Sequence, residues 1–342
     1  MASPTEHQVG IHDVELARRA SAWDEFVAVQ PGAGFMQSSW WPNIQLDNGW
    51  GNYGVVIKDG ETVVGGAQVL TKYFAPGKSY YYIPEGPVLP QDESDGAQVM
   101  QAVMDFIDRK RQSEDRAISH LCIEPRWQQQ PNCVSGFRAR RRWVEPRTTL
   151  YIDLRPDESA ILAQMKPKGR YNINVARRHG VSIVEDVSPQ GLEDFVRIYQ
   201  TTIDRHGLDG NKADYYHMLI PRLVALSRGS VFFAEYQGSR IATVLVVYFG
   251  ERATYFFGGS IAAHRHVMAP YMLHFEIMLR DKKLGCRWYD LYGIAPQSVG
   301  ADHKWANISV FKRKLGGQDF SFVPSMDYVY DAVAYEAYRQ SR

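Results

Sequence analysis

The sequence predicts an α+β protein built from two similar domains in tandem. The chain has 342 residues, which is long for one domain and enough for two that each bury a core. Two pairs of alternating apolar runs, joined near residues 60 and 238, have the pattern of β-hairpins. Each pair is followed by an amphipathic helix and a short apolar strand, an order that fits a mixed sheet with one crossover.

The first half opens with a helix-like stretch, Glu15 to Val29, and an aromatic cluster, Phe35 to Trp41. A hairpin follows over 53–70, with Asp59-Gly60 at its turn. The other elements predicted in this half are a strand running into YYIPEGPVLP, a helix over 95–112 and a strand over 118–125.

The second half repeats this order. Helices are predicted over 189–205 and 215–226, on either side of the polar loop HGLDGNKAD. A hairpin turns near Gln237-Gly238, and a helix over 270–284 precedes the strand CRWYDLYGI. The order of elements is therefore duplicated without a visible sequence repeat. The first half is expected to end near residue 147.

Composition and charge restrict the class of protein. Hydrophobic residues make up 45% and charged residues 23%, as in ordinary globular proteins. No stretch approaches the roughly 20 apolar residues of a membrane span, and the N-terminus lacks an apolar signal core, so we expect a cytoplasmic protein. The formal net charge of +1 argues against broad duplex binding, although an enzyme can need only the end of an RNA.

The sequence shows no pattern of a metal site or an activated serine. The three cysteines, Cys122, Cys133 and Cys286, are odd in number and widely spaced, which favours free thiols. His264 and His266 have no third ligand nearby in sequence, so we expect no metal site. Neither a GxSxG elbow nor a Walker-type loop occurs.

Six segments together resemble the Fem family (FemABX) of aminoacyl-tRNA-dependent transferases, which build peptidoglycan cross-bridges. Each is a weak signal alone, but the six occur in family order and span nearly the whole chain. They are YYIPEGPVLP at 81–90, LYIDL at 150–154, MKPKGRYNINVARRHGV at 165–181, YFFGGS at 255–260, GCRWYDLYGI at 285–294 and FKRKLGG at 311–317.

The resemblance implies two tandem domains with the fold of GCN5-related N-acyltransferases. The first would comprise 1–147 and the returning segment 317–342, and the second 148–316. No coiled-coil arm is expected, because no segment shows sustained heptads. The implied activity is amide-bond formation between an amino acid carried by tRNA and an amine acceptor, a peptidoglycan precursor stem peptide. No cofactor is expected besides the aminoacyl-tRNA co-substrate, and we expect a monomer.

Phe311 and Lys312 resemble the family's Phe-Lys pair, which implies a catalytic role. The lysine would contact the tRNA end and stabilise the charge that develops on the attacked ester. The ring would stack on a terminal base. Considered locally, the consecutive cations Lys312, Arg313 and Lys314 also fit a solvated basic turn.

A basic stretch over 165–180 could meet the phosphates of tRNA or of a nucleotide-linked acceptor, or could form the solvated face of a helix. Within it, Arg170 and Tyr171 coincide with a family Arg-Tyr pair, which implies a structural or substrate-binding role. The other cations of this stretch are Lys166, Lys168, Arg177 and Arg178.

Four residues correspond to the acceptor site of members that use a UDP-linked muropeptide. Lys212 and Tyr216 resemble an Arg-Tyr pair that binds the diphosphate, and their spacing predicts one helical face. Lysine keeps the charge of arginine but not its bidentate geometry. A second phosphate ligand, a lysine beyond the QSSWW segment that contains Trp41, is replaced by Gln45. A small-molecule or peptide metabolite is therefore an alternative acceptor.

Tyr255 and Asp290 are predicted on the two central strands of the second half. Tyr255 resembles a tyrosine near the family's substrate channel, and a half-buried strand aromatic is the simpler alternative. Asp290 stands in an apolar strand, where an unpaired carboxylate is costly, so it either bonds backbone or a cation or acts on substrate. Glu124 has the equivalent place in the first half, and the two carboxylates are the candidate acid/base groups.

Two other functions fit the predicted fold. An acyl-CoA-dependent N-acyltransferase binds pyrophosphate through a Gln/Arg-x-x-Gly-x-Gly/Ala loop before a helix. The nearest match, RHVMAP from Arg265, has Met268 in place of the first glycine. The other alternative is a non-catalytic binding protein, against which Lys312 and Tyr255 argue.

Overall fold

The computed structural model describes residues 8–12, 20–140, 142–207, 210–297 and 303–340. It divides the chain into two compact units, Met1–Arg147 with Phe322–Arg342, and Thr148–Ser321. Each unit contains one seven-stranded sheet. Arg141 and the first part of the helix predicted from Glu15 lie outside the described residues.

The predicted elements occur in the expected order, and the structure adds others over 8–12, 41–46, 138–185 and 306–340. In chain order they are β1 (Gln8–His12), α1 (Ala20–Ala28), α2 (Trp41–Leu46), β2 (Gly51–Asp59), β3 (Thr62–Ala75), β4 (Lys78–Pro84), α3 (Glu93–Gln112), β5 (Ala117–Glu124), β6 (Arg138–Ala139), β7 (Thr148–Asp153), α4 (Glu158–Gln164), α5 (Pro167–Arg178), β8 (Ser182–Glu185), α6 (Pro189–His206), α7 (Ala213–Ala225), β9 (Gly229–Tyr236), β10 (Ser239–Phe249), β11 (Arg252–Ser260), α8 (Ala269–Lys283), β12 (Trp288–Asp290), α9 (Ala306–Lys314), β13 (Gln318–Ser321), β14 (Met326–Val329) and α10 (Ala332–Gln340).

Helix α3 shows how local sequence sets a crossover. The Asp92 carboxylate accepts hydrogen bonds from the amides of Ser94 and Asp95 at 2.9 and 3.1 Å, which caps the helix. Acidic residues in its first turn and basic residues in its last turn complement the helix dipole. Its buried face packs on the sheet and contains Val99, Met100, Val103, Phe106 and Ile107.

The two sheets have the same topology. The strand order is β1-β2-β3-β4-β5-β14-β6 in the first and β8-β9-β10-β11-β12-β7-β13 in the second. In each sheet the fourth and fifth strands are parallel, joined by α3 or α8, and the other pairs are antiparallel. The duplicated order read from the sequence therefore corresponds to a duplicated sheet.

The chain passes from one sheet to the other twice. Each time it leaves the seventh, edge strand of one sheet and next forms the sixth strand of the other sheet. After β6 the chain forms β7 in the second sheet, and after β13 it forms β14 in the first. The return to the first unit predicted at residue 317 is therefore too early. Gln318–Ser321 pairs with β7 in the second sheet, and the division falls at Phe322.

The longest helix among the described residues is α3, with 20 residues. Within the described ranges, no helix is long and apolar enough to cross a membrane.

Candidate active site

In the second unit, the parallel strands β11 and β12 separate at one end. Their paired residues stop at Thr254 and Asp290, whereas β11 continues to Ser260 along β10. The pairing of β11 with β10 is interrupted by a bulge after Tyr255, and Tyr292 adopts a left-handed conformation with φ 50°. An opening in the sheet results just beyond Tyr255 and Asp290.

Lys312, carried by α9, extends into this opening. Its Nζ donates hydrogen bonds to the carbonyl oxygens of Tyr292 and Gly293 at 3.1 and 2.9 Å. The same nitrogen lies 5.0 Å from the centre of the Tyr255 ring. Burial lowers the pKa of Lys312 from 10.5 to about 7, and the charge of Asp290 acts in the opposite direction. The solvated basic turn therefore does not describe Lys312, which is 7% exposed.

Helix α9 is fixed on the side that carries Lys312. One turn before it, the Ser309 hydroxyl accepts a hydrogen bond from the amide of Ala295 at 2.7 Å. Arg313 donates to the carbonyl oxygen of Ala295 at 2.7 Å and pairs with Asp319 at 2.9 Å. Because these contacts tie α9 to the segment after β12, the Lys312 ammonium is held at its two carbonyl partners.

His274 of α8 is a site residue absent from the sequence-based predictions. Its ring lies 4.5 Å from the Tyr255 ring and 5.6 Å from the Phe311 ring, and its Nδ1 is 2.8 Å from the Tyr289 hydroxyl. Burial, together with the charge of Lys312, lowers the pKa of His274 to about 3, so the ring is neutral near pH 7. Its only sequence signal is a lone histidine in the apolar helix PYMLHFEIML.

Phe311 lies half-buried on the same side, 5.0 Å from the Tyr271 ring. The structure thus brings together Phe311, Lys312 and Tyr255, three of the predicted site residues, around a neutral histidine.

Asp290 is fully buried at the base of the opening. It accepts hydrogen bonds from the Thr149 hydroxyl and from the amide of Tyr292, the latter at 2.8 Å. A backbone partner, one of the alternatives left by the sequence, is present, and a direct role of Asp290 toward substrate stays a prediction. Asp290 also adds a negative charge near Lys312, which favours the ammonium form.

Glu124 in the first unit accepts four hydrogen bonds. Its Oε2 receives the Tyr82 hydroxyl at 2.7 Å and the Glu145 amide at 2.8 Å, and its Oε1 receives the Val144 amide at 2.8 Å and the Ser325 hydroxyl at 2.9 Å. Four donors occupy the carboxylate of this buried side chain, which is the pattern of a structural anchor. A role as proton acceptor stays a prediction.

A buried ion pair follows the parallel strands of the first unit. Glu85 comes directly after β4 and Arg126 shortly after β5, and Arg126 Nη1 lies 2.5 Å from Glu85 Oε1. The second carboxylate oxygen accepts the Met36 amide at 3.0 Å. Both charged side chains are at most 5% exposed. This pair was not predicted from the sequence, although each member is a charge shortly after an apolar strand.

The described residues contain no group of three or more histidine, cysteine, aspartate or glutamate side chains that could hold a metal ion. All three cysteines are free.

The sequence matches the model of a known protein family over most of its length. The model of the FemAB family matches residues 19–138, 134–222 and 228–341. The chain belongs to the FemAB family.

Two relatives of this FemAB protein are named for aminoacyl transfer. The UDP-N-acetylmuramoylpentapeptide-lysine N(6)-alanyltransferase of Weissella viridescens is 22% identical, over 85% of this chain and 88% of the relative. The lipid II:glycine glycyltransferase of Staphylococcus saprophyticus is 18% identical, over 92% of each chain. The predicted family and enzyme class are confirmed, and the protein is an aminoacyltransferase.

Solved structures agree with the predicted tandem fold. The crystal structure of FemX superposes with a TM-score of 0.84 at 15% identity, covering 96% of this chain and 99% of FemX. A tandem GNAT protein from the clavulanic acid biosynthesis pathway gives a TM-score of 0.54 at 14% identity, covering 94% and 98%.

The family-derived acceptor residues of the first unit are buried. Trp41 begins α2, is 4% exposed and packs edge-on against Phe35 at 5.0 Å. Gln45 is 5% exposed, and its Oε1 accepts a hydrogen bond from Asn48 at 3.2 Å. The Gln45 Nε2 has no partner among the described residues. Their role as acceptor ligands stays a prediction.

Lys212 and Tyr216 do not lie on one helical face, because only Tyr216 is within α7, so that expectation is wrong. Their role as acceptor ligands stays a prediction. Lys212 precedes α7 in an extended conformation and is exposed, whereas Tyr216 is 1% exposed. The Tyr216 ring lies 5.2 Å from Tyr199 and 5.3 Å from Phe257. Contacts with Tyr199 of α6 and Phe257 of β11 hold the Tyr216 ring inwards, which four-residue spacing does not reveal.

Arg170 and Tyr171 are on α5 and point in different directions. The Arg170 guanidinium donates to the carbonyl oxygen of Met165, which ties the start of α5 to the preceding turn. Tyr171 is 53% exposed. The contact of Arg170 is structural, while Tyr171 presents its ring to solvent.

Proposed function

We propose that this enzyme transfers an aminoacyl group from aminoacyl-tRNA to the amine of a peptidoglycan precursor stem peptide, with Lys312 at the reacting centre. The names of the two relatives, one acting on a UDP-linked muropentapeptide lysine and one on lipid II, support this acceptor class. The buried Lys312 ammonium in the opening between β11 and β12 is the observation that carries the proposal.

In the proposed reaction the acceptor amine attacks the ester carbonyl carbon of the donor. A C–N bond forms, the ester oxygen becomes an oxyanion, and the C–O bond to the terminal ribose then breaks. The amine loses a proton, and the ribose oxygen gains one. The chemistry needs alignment and a stabilised oxyanion, and it needs no cofactor.

Lys312 suits the stabilising step. An ammonium has three N–H donors, and the carbonyls of Tyr292 and Gly293 take two. The third is left for a substrate oxygen. Because the Lys312 side chain is buried, a charge there interacts more strongly with an oxyanion than it would in water. The Tyr255 ring lies 5.0 Å from the ammonium, and the His274 ring lies 4.5 Å from the Tyr255 ring.

An acyl-CoA donor is disfavoured by both crossover helices. A pyrophosphate site uses the free amides at a helix N-terminus. At α3 the Asp92 carboxylate occupies these amides, and Glu93 and Asp95 add negative charge. At α8 the residue before the helix is Met268, in a left-handed conformation with φ 59° and with its side chain packed on the core. The amides of α3 are therefore occupied, and α8 begins at a side chain where a phosphate loop needs glycine.

The acceptor could instead be a small peptide-like metabolite. The observation that favours this alternative is Gln45, which is neutral and 5% exposed where a phosphate-binding lysine was expected. The enzyme is proposed to act in the cytoplasm as a monomer.

The decisive experiment supplies the purified full chain with radiolabelled aminoacyl-tRNAs and, in separate reactions, a UDP-linked muropentapeptide, lipid II and free dipeptides. RNase-sensitive label in the muropeptide or lipid II is expected. Label only in a dipeptide would select the metabolite alternative. Transfer from acyl-CoA that resists RNase, or no transfer from any donor, would overturn the proposal.

A further inference from the structure

An exposed cationic strip runs along α5 and continues onto the turn that follows β11. We define the α5 strip as Lys168, Tyr171, Arg178, His179, Arg265 and His266, all of which are exposed. The two parts meet where the His179 and His266 rings lie 5.7 Å apart. Helix α5 itself, PKGRYNINVARR, contains no acidic residue. The chain as a whole has a net charge of only +1, so this strip is a local concentration of positive charge.

Tyr171 organises the cations of the strip. The Lys168 Nζ lies 4.4 Å from the centre of its ring, and the Arg178 guanidinium carbon lies 5.9 Å from it. Residues three and seven apart share one side of a helix, so the two cations flank an exposed ring. Cation–π contacts favour one arrangement of these long side chains. Arg177, in contrast, faces Glu276 at 3.6 Å and is not part of the strip.

The strip starts beside the reacting centre. The Lys166 amide donates to the carbonyl oxygen of Lys314 at 3.2 Å, and Lys314 is two residues from Lys312. Gly169 permits this approach, because a Cβ there would lie 2.2 Å from the same carbonyl oxygen. From that point α5 extends 12 residues, about 18 Å. At its far end, the turn with Arg265 and His266 follows β11, the strand that carries Tyr255.

We propose that the α5 strip binds the backbone phosphates of the acceptor stem of the donor tRNA. The inference rests on the proposed function, since a donor ester held at Lys312 must be followed by the rest of its RNA. Double-stranded RNA is recognised by its shape, its phosphates and its 2′-hydroxyls, because its deep major groove hides the bases. Cations held along an exposed helix suit such contacts. The strip would raise donor affinity without reading sequence.

The test compares two donors on the full-length enzyme. One is an aminoacylated acceptor-stem minihelix ending in single-stranded CCA, and the other is an aminoacylated short oligonucleotide with the CCA end and no stem. The test variant is Lys168→Ala/Arg178→Ala. The matched control is Lys283→Ala/Arg287→Ala, which removes the same two charges at the end of α8 and before β12, where the strip does not reach.

We expect the test variant to lower kcat/KM for the minihelix by about tenfold, through KM, because two phosphate contacts are lost. The slope of log affinity against log salt should become shallower by about 1.5–2. Transfer from the short oligonucleotide should change less than about twofold, and the control should resemble wild type with both donors. An equal loss with both donors, or an equal loss in the control, would overturn the inference while leaving the proposed function standing.

A binding measurement keeps the inference testable without turnover. Fluorescence anisotropy with the unacylated minihelix should show weaker binding by the test variant than by wild type or control. Identical affinities for all three proteins would refute RNA binding by the α5 strip. If the substitutions reduce binding to phosphatidylglycerol vesicles and leave minihelix binding unchanged, the strip is a membrane-binding surface and the RNA inference is wrong. If neither donor is consumed by the wild-type enzyme in any transfer assay, the proposed function itself fails.

Discussion

The Nζ of Lys312 lies 5.0 Å from the centre of the Tyr255 ring, so helix α9 and strand β11 supply the two halves of one site. The ring face and the carbonyls of Tyr292 and Gly293 surround the ammonium with partial negative charge. Burial nevertheless lowers the pKa of Lys312 to about 7, so the compensation is incomplete. A buried lysine whose pKa is shifted close to neutral pH, at an opening in the sheet, is typical of a functional residue.

Lys312→Met should reduce kcat for aminoacyl transfer by at least about 100-fold, because the stabilising charge at the oxyanion is lost. The fold should remain intact, as judged by circular dichroism. Lys314→Met, two residues away and half-exposed, is the matched control and should stay within about threefold of wild type. Turnover of the Lys312→Met variant close to the wild-type rate would remove Lys312 from the reacting centre.

The pH dependence of kcat/KM for the donor should report the ionisation of Lys312 in the free enzyme. Its pKa of about 7 means that the charged fraction falls as the pH rises through neutrality. If the ammonium stabilises the oxyanion, kcat/KM should decline above about pH 7. Lys312→Arg keeps its charge and should lose this decline, although its absolute rate will be lower. Spontaneous hydrolysis of the donor is measured at each pH as the control. A wild-type profile that rises through pH 7 in parallel with the Lys312→Arg profile would contradict the cationic role.

Stability should depend on pH through the same group. The folded-state pKa of Lys312 is lowered from 10.5 to about 7, so between these values the unfolded chain holds a proton that the folded chain has released. Stability therefore rises with pH across this window, and the full burial cost remains below about pH 7. Relative to Lys312→Met, the wild-type protein should gain about 2 kcal/mol in the free energy of unfolding between pH 7 and pH 9. Urea titrations at both pH values test this, and a constant difference would show that Lys312 stays charged throughout.

The parts of the fold that sequence predicted are those set by local pattern. Gly60-Glu61, one residue later than predicted, and Gln237-Gly238, as predicted, form the hairpin turns. Gly60, Gln237 and Gly238 have the positive φ that such turns favour. The exchange of the sixth strands was not predictable in the same way. Strand β14, the sixth strand of the first sheet, and the edge strand β13 before it have four residues each, too few for a periodic signal. Long-range pairing decides which sheet each of them joins.

The site was predictable only in part for a related reason. Local sequence cannot tell which of Lys312, Arg313 and Lys314 points inwards, because that depends on the contact of α9 with Ala295. His274, Glu85 and Arg126 were not predicted as site residues. Each lies on or behind an apolar element, and its partner is distant in sequence.

Glu85→Gln should destabilise the first unit by about 3–5 kcal/mol, because it leaves the Arg126 guanidinium buried without its counter-charge. The measurement is the midpoint of thermal unfolding. Glu61→Gln is the control, since its ion pair with Lys58 is long, at 3.8 Å, and fully solvated on the glutamate side. That substitution should cost less than about 1 kcal/mol. Equal midpoints for the two variants would mean that the buried pair contributes no more than an exposed one.

Glu124→Gln decides whether this carboxylate anchors the fold or accepts a proton. An amide in its place offers one acceptor oxygen and one donor nitrogen to four donors, from Tyr82, Val144, Glu145 and Ser325. Two of these hydrogen bonds should be lost, at a cost of about 2–4 kcal/mol. Ser325→Ala removes a single donor and should cost about 1 kcal/mol, which gives the scale for one contact. At a temperature well below either unfolding midpoint, the kcat of Glu124→Gln should stay within about twofold of wild type. A stable variant with kcat lowered by two orders of magnitude would instead identify Glu124 as the proton acceptor.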